Sequence, residues 1–170
     1  HEHPAYVGGI GVTGSASANA MAAEADVIVA IGTRLQDFTT GSWTSFKADA
    51  QFISINAARF DATKHRAISV VGDARESLRE MDAALGDWSA PDTWMDKGRD
   101  EMAKWDSLID ELQKPSNAHI PSYAQVIKVV QDNAKTEDLV ITAAGGPPGE
   151  VNKCWRVKAP NTVDTEFGFS

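Results

Sequence analysis

The chain has 170 residues, a size typical of one domain or slightly more. Hydrophobic residues make up 42% and charged residues 24%, which is ordinary for a soluble globular protein and excludes wholesale disorder. The formal net charge of −8 disfavours a nucleic-acid partner, the longest apolar run is too short to span a membrane, and a single cysteine excludes an internal disulfide. The first residues show no secretory leader, so we expect a cytoplasmic protein. We also expect a mixed α/β fold, for the reasons that follow.

In the first half of the chain, the order of the predicted strands and helices is typical of a parallel α/β sheet. Small, helix-compatible residues from Ser15 to Ala25 lead into the β-branched run Val27 to Ile31, which predicts a strand buried on both faces. A polar loop follows over 33–45, and two more strands are predicted over 51–55 and 67–71. Asp73 is a suitable N-cap for a helix from Ala74 to about Leu85, because its carboxylate accepts the free N–H groups of the first turn.

A change of composition near residue 86 predicts three parts: an α/β unit over 1–90, a helical linker over 91–116 and the start of a second α/β unit over 117–170. The linker carries Trp94 and Trp105 at helical spacing, which indicates an amphipathic helix whose tryptophans pack against the protein. The second unit is predicted to contain a buried strand over 139–143, a glycine-proline loop over 145–149 and a strand over 161–165. Its helix begins near Pro121, with a buried stripe formed by Tyr123, Val126, Ile127, Val129 and Val130.

The segment from Gly9 to Gly14 reads G-x-G-x-x-G, a pattern that binds dinucleotides when it follows a strand and opens a helix. A helix does follow, but only Tyr6 and Val7 are available for the preceding strand. The acidic residue is also misplaced, since Asp26 precedes the next strand instead of ending it. An NAD site is therefore disfavoured, while a phosphate or adenine-nucleotide loop and a simple tight turn both remain open.

The loop after the first strand is a second candidate, because ligands bind at the carboxyl ends of strands in open α/β sheets. Arg34 in this loop is equally suited to a forked contact with phosphate and to an ion pair with Asp37. Cys154 has no evident activating partner, and the histidines are terminal or isolated in the sequence. We therefore assign no metal site and no catalytic residue.

Taken in order, these pieces resemble the central domain of thiamine-diphosphate-dependent enzymes of the acetolactate synthase type. The matching positions run from the glycine loop to the loop after the first strand: Gly11, Gly14, Asn19, Asp26, Gly32, Arg34, Asp37, Thr40 and Gly41. The segments 143–150 and 166–170 resemble one branch of that family, which hydrolyses a cyclic 1,2-dione in inositol catabolism.

The resemblance implies an α/β fold: a partial, Rossmann-like central domain with a parallel sheet, joined to the beginning of a second α/β domain that binds thiamine diphosphate. It implies thiamine diphosphate and Mg²⁺ in the full-length enzyme, with cofactor-binding residues Gly145, Gly146, Gly149, Gly168, Phe169 and Ser170. A candidate nucleotide site comprises Gly11, Gly14, Ser15, Asn19, Gly32, Arg34 and Asp37. Phe38 and Asn56 stand where FAD-binding relatives carry Arg and Asp, which disfavours FAD.

The resemblance also implies partners: the remaining domains of the same polypeptide and a small-molecule substrate, within a homodimer or tetramer. The isolated chain is then expected to be inactive. Three alternatives stay open. They are a 2-oxoacid decarboxylase or acetolactate-type ligase on the same scaffold, a free-standing nucleotide-binding module, and an interaction domain whose tryptophan-bearing helix docks on a partner.

Overall fold

A computed structural model describes residues 3–165 of the chain. Its helices and strands follow one another in this order: α1 (Ala16–Glu24), β1 (Val27–Ile31), α2 (Asp37–Thr40), β2 (Gln51–Asn56), α3 (Arg59–Ala62), a 3-10 turn (Lys64–Arg66), β3 (Ile68–Val71), α4 (Ala74–Leu85), α5 (Asp92–Leu112), α6 (Tyr123–Asn133), β4 (Val140–Thr142), α7 (Gly146–Cys154) and β5 (Val163–Thr165). Within the described residues, no helix is both long enough and apolar enough to cross a membrane.

The strands form two parallel sheets, which confirms the predicted α/β class. In the larger sheet the order is β1-β2-β3, with Val29 opposite Ile53 and Ile53 opposite Ile68. In the smaller sheet β4 pairs with β5, and Val140 lies opposite Val163. Because all strands of a parallel sheet end at one edge, the loops that follow β1, β2 and β3 lie side by side.

Local hydrogen bonds explain where the helices begin. The Asp73 carboxylate accepts from the backbone N–H groups of Arg75 and Glu76 at 2.9 and 3.1 Å, which confirms the predicted cap of α4. Ser122 and Gln125 form a reciprocal capping box at the start of α6. These bonds satisfy N–H groups that a helix leaves without partners in its first turn.

Helix α5, predicted as a linker, packs against both halves of the described chain. It lies along α1, where Lys97 forms an ion pair with Glu24, and it contacts α6. Near its carboxyl end, Ile109 is buried in a cluster with Ala124, Ile127, Val151 and Cys154. The three-part division of the chain remains a prediction, but α5 is a packed element that joins the two sheets.

The predicted burial of β1 on both faces is wrong. One face of the strand packs on a cluster around Leu35 and Phe52, but Val27, Val29 and Ile31 on the other face are 50%, 39% and 42% exposed. A run of β-branched residues is typical of a strand covered on both sides, and within residues 3–165 only one side of β1 is covered.

The predicted buried stripe of α6 is wrong at four of its five positions, including Tyr123, and is confirmed only at Ile127. Val126, Val129 and Val130 are all exposed, and the buried positions are Ala124, Ile127 and Gln131. Strand β4 is shorter than predicted, and Ile141 at its centre is exposed. The prediction of a glycine-proline loop over 145–149 is wrong as well, because Gly146 to Gly149 form the first turn of α7.

Candidate functional site

The first glycine loop is held by its own backbone and by α1. The Gly11 N–H donates to the Asn19 side-chain oxygen at 2.8 Å, and the Asn19 amide donates back to the Gly11 carbonyl at 2.9 Å. The N–H groups of Val12, Gly14 and Ser15 donate to the carbonyls of Phe38, Gly11 and Gly9. Four backbone N–H groups from Gly11 to Ser15 thus donate to other atoms of the chain and are not free to bind a phosphate. This favours the tight-turn interpretation over a phosphate loop.

Two of its glycines are required by close contacts. A Cβ atom on Gly14 would lie 2.1 Å from the Gly9 carbonyl oxygen, and one on Gly11 would lie 2.2 Å from the carbonyl oxygen of Phe38. Gly11 also has a φ of +110°, which L side chains rarely adopt. The second and third glycines of the G-x-G-x-x-G pattern therefore have a steric cause, namely the approach of the loop to α2 and to itself.

Asn56 organises the carboxyl edge of the larger sheet. Its amide donates to the Thr33 carbonyl at 3.0 Å, and its side-chain oxygen accepts from the Ala58 N–H at 2.9 Å. The Gly32 N–H donates to the Ile55 carbonyl, which joins the loop after β1 to the end of β2. The Asn56 side chain is therefore occupied by the backbone, where an FAD-binding relative is expected to use a carboxylate.

Each strand of this sheet is followed by an arginine at the same edge: Arg34 after β1, Arg59 after β2 and Arg75 after β3. All three side chains are exposed, and none forms an ion pair within residues 3–165. The sequence-based interpretation of Arg34 as a partner of Asp37 is thus not realised. Sequence reasoning singled out Arg34 alone, although the repeated position a few residues beyond each strand pointed to all three.

The second glycine segment begins α7. Gly145 precedes the helix with a φ of +125°, and the ring of Tyr123 lies against Gly146. Gly149 is buried, and a Cβ atom there would lie 3.3 Å from the methyl carbon of Thr13. Gly149 therefore allows α7 to approach the first glycine loop, while Gly145 and Gly146 stay exposed at the helix start, where backbone can approach an anionic group closely. The remaining predicted cofactor residues, Gly168, Phe169 and Ser170, lie outside the described residues.

Cys154 is a packed thiol. Only 3% of it is exposed, and burial, with a smaller contribution from the Glu150 charge, raises the pKa of its thiol to about 11. A thiol with this pKa is almost wholly protonated at neutral pH and is a poor nucleophile. Residues 3–165 contain no group of three or more His, Cys, Asp and Glu side chains that could hold a metal ion.

The sequence of residues 1–81 matches the family model described as thiamine pyrophosphate enzyme, central domain. The chain carries a thiamine pyrophosphate enzyme central domain. That domain contains α1, the whole larger sheet and most of α4, and the predicted family is confirmed.

Relatives of this thiamine pyrophosphate enzyme domain extend the match beyond residue 81. The chain is 32% identical over 189 residues to 3D-(3,5/4)-trihydroxycyclohexane-1,2-dione hydrolase from Geobacillus thermodenitrificans (strain NG80-2), covering 99% of this chain and 29% of that protein. Proteins of the same name from Bacillus velezensis and Clostridium perfringens (strain 13 / Type A) are 31% identical over 191 residues and 29% identical over 192 residues. Those matches cover 96% and 99% of this chain and 30% of each relative. The chain thus spans about three tenths of the length of these curated relatives.

Proposed function

We propose that this chain is part of a thiamine-diphosphate-dependent enzyme that opens a cyclic 1,2-dione by hydrolysing a carbon–carbon bond. The observation that carries the proposal is the extent of the similarity to the dione hydrolases, which covers 96–99% of the chain and so includes α6, α7 and both small strands. When bound, thiamine diphosphate supplies a carbanion that attacks carbonyl carbon and accepts the electrons of the broken bond.

The chain's own part in this proposal is to bind and to position. Gly145 and Gly146 are exposed, lack side chains and stand at the start of α7, so their backbone suits close approach to a diphosphate. Gly149 leaves room for α7 to pack against Thr13, which places that backbone next to the central domain. Mg²⁺ enters the proposal through the resemblance alone.

The test uses the native polypeptide. An antibody raised against these 170 residues should detect, in the source cells, a protein roughly three times longer than this chain, since the chain covers 29–30% of its relatives. The captured polypeptide should consume trihydroxycyclohexane-1,2-dione when thiamine diphosphate and Mg²⁺ are present, whereas the 170-residue chain should not. A native product of 18.3 kDa, or turnover by the isolated chain, would overturn the proposal.

Other reactions on the same scaffold give different products. A 2-oxoacid decarboxylase releases CO₂ from a 2-oxoacid, and an acetolactate-type ligase joins two such acids. The captured polypeptide should therefore be offered a 2-oxoacid as well as the dione. Faster consumption of the 2-oxoacid would replace the hydrolase by one of these alternatives while leaving the cofactor unchanged.

A second candidate function is binding of a nucleotide through its phosphates, and the three arginines at the sheet edge favour it. Within residues 3–165, Arg34, Arg59 and Arg75 form no ion pair, and guanidinium groups bind phosphate oxygens in a forked geometry. ADP titrated into the 170-residue chain should bind saturably, and Arg75→Ala should weaken it by roughly tenfold or more. Arg79→Ala is the matched control, because Arg79 lies on the same helix but is paired with Glu76. Equal effects of the two substitutions would exclude this site.

A further inference from the structure

Strand β1 has one edge that no other strand of the described chain covers. It is the outermost strand of the larger sheet and pairs only with β2 within residues 3–165. The Asp26 carbonyl accepts from the Gln51 N–H, and the Gly32 N–H donates to the Ile55 carbonyl. Because backbone groups alternate between the two edges of a strand, the even-numbered residues bond to β2 and the odd-numbered ones point away from it.

The residues that point away from β2 are Val27, Val29 and Ile31. Their backbone atoms form no hydrogen bond with a loop or a side chain of residues 3–165, so N–H and C=O groups line the free edge. Their side chains lie on one face of the sheet and are 39–50% exposed. Both the backbone and the side chains of these residues therefore lack a neighbour from the described chain on this side.

The free edge of β1 also lacks the features that usually keep strand edges unpaired, which are charged side chains, prolines and bulges. Val27–Ile31 contains neither a charged residue nor a proline, and its register with β2 runs without a bulge. The opposite edge of the sheet is different, because β3 follows the basic turn Lys64–Arg66 and contains Ser69. An unprotected apolar edge favours an extended, uncharged strand as its partner.

The two ends of this free edge carry opposite charges. Asp26 immediately precedes β1 and Arg34 lies shortly after it; both are exposed, and neither forms an ion pair within residues 3–165. A second strand with the same end charges fits in the antiparallel direction, because a parallel alignment would place like charges side by side. The β1 strand of a second copy has the matching length, apolar composition and end charges.

We propose that β1 of one copy pairs with β1 of a second copy in the antiparallel direction, about a twofold axis through Val29. The N–H and C=O groups of Val29 then bond to those of its counterpart, and Val27 lies opposite Ile31. Asp26 of each copy lies beside the Arg34 end of the other. The two sheets become one continuous sheet in which the apolar side chains pack across the new strand pair. This interface does not rest on the proposed function.

Sedimentation equilibrium of the 170-residue chain measures the association. The chain should form a dimer of twice 18.3 kDa, with a Kd on the order of 10 µM as expected for a small interface. Val29→Lys places an ammonium group at the centre of the edge and should raise the Kd at least about tenfold. Val71→Lys is the matched control, because Val71 is an exposed apolar residue of β3 at the opposite edge, and should change the Kd by no more than about twofold.

Two charge substitutions outside β1 test the direction of the pairing. Asp26→Arg and Arg34→Asp each bring like charges together at both ends, and each should raise the Kd at least about threefold. The double variant Asp26→Arg/Arg34→Asp restores opposite charges and should return the Kd to within about twofold of the wild-type value. Rescue by the double variant is expected only for antiparallel strands, since a parallel pair keeps like charges together in all of these chains.

Hydrogen exchange locates the interface at single residues. Exchange of the Val27, Val29 and Ile31 N–H groups should slow as the chain concentration rises through the Kd, because these groups gain partners only in the dimer. The N–H groups of Ile28 and Ala30 point to β2 in each copy and should change little.

Each of four results would overturn the proposal. They are a chain that stays monomeric up to about 1 mM, an effect of Val71→Lys as large as that of Val29→Lys, single charge variants that the double variant does not rescue, and equal slowing of exchange at all five residues of β1. If Val29→Lys fails to fold, the charge variants still decide, because Asp26 and Arg34 lie outside the strand and are exposed.

Discussion

At the scale of single residues, the glycine loop offers a direct comparison between two glycines of one motif. A Cβ atom on Gly14 would lie 2.1 Å from a backbone oxygen, whereas one on Gly9 would have no neighbour within 4 Å. Gly14→Ala should lower the free energy of unfolding by about 1–3 kcal/mol or more, because backbone must move to admit the methyl group. Gly9→Ala should change it by no more than about 0.5 kcal/mol. Urea unfolding measures both, and equal losses would show that the loop is not packed in this way.

His65 is a residue at which pH should act on folding. Its ring lies against the Trp43 ring at a tilt of 35° with centroids 3.5 Å apart, and burial, with the charge of Lys64, lowers its pKa from the ordinary value of 6.5. The unfolded chain therefore binds a proton at this site at higher pH than the folded chain does. Stability should fall as pH drops below 6.5, and the loss should be complete once the pH is below the folded-state pKa.

The check on His65 is a comparison of urea midpoints at pH 7.5 and 5.0. The midpoint should fall further for the wild-type chain than for His65→Gln, which has no proton to bind at this position. An equal fall in both chains would mean that other groups cause the whole pH dependence.

At the scale of elements, α5 shows how one glycine sets a helix contact. Gly98 is buried, and a Cβ atom there would lie 3.2 Å from a Val7 methyl and 3.6 Å from the end of Met21. Gly98→Leu should destabilise the chain by about 1–3 kcal/mol, because the larger side chain would push α5 away from α1. Ala103→Leu on the exposed side of α5 is the control and should have little effect. Comparable losses in both variants would show that the α1–α5 contact is not close.

The elements also show what could be predicted from the sequence. The strands of the larger sheet and the cap of α4 follow from local signals, a β-branched run and an aspartate before a helix, and both were confirmed. The burial of β1 and of the α6 stripe did not follow. Val29 and Val126 are apolar, but apolarity does not say which neighbouring segment covers a side chain. The start of α7 was missed because Gly145 to Gly149 contains residues typical of turns, although proline is favoured in the first turn of a helix.

The candidate site was less predictable than the fold. Arg34 was identified by its place after a strand; Arg59 and Arg75 also follow strands, but the strand order is what places all three at one edge of one sheet. Likewise, Thr13 and Gly149 are far apart in the sequence and lie side by side only after α7 packs on the glycine loop. Local patterns predict elements, whereas sites depend on contacts between distant segments.

At the scale of the whole molecule, a polar clamp centred on Arg156 joins the long helix α5 to α6 and α7. Its guanidinium donates to carboxylate oxygens of Asp106 and Asp110 at 3.3 and 2.9 Å, and its backbone N–H donates to the Gln131 side chain at 2.6 Å. The residue therefore connects α5 with α6 and with the end of α7. Since about one third of the Arg156 side chain is exposed, each ion pair should contribute less than a buried one.

Arg156→Met keeps most of the side-chain volume and removes the charge. It should lower the free energy of unfolding by about 1–2 kcal/mol, since two charge-assisted bonds are lost at a partly exposed site. Arg99→Met is the control, because its pair with Asp96 lies within α5 and connects no other element. Alkylation of Cys154 reports on the clamp directly, because this buried thiol reacts only when the contact between α5 and α7 opens. Faster alkylation in Arg156→Met than in Arg99→Met is expected, and equal rates would mean that apolar packing around Ile109 holds α5 against α6 and α7 without the clamp.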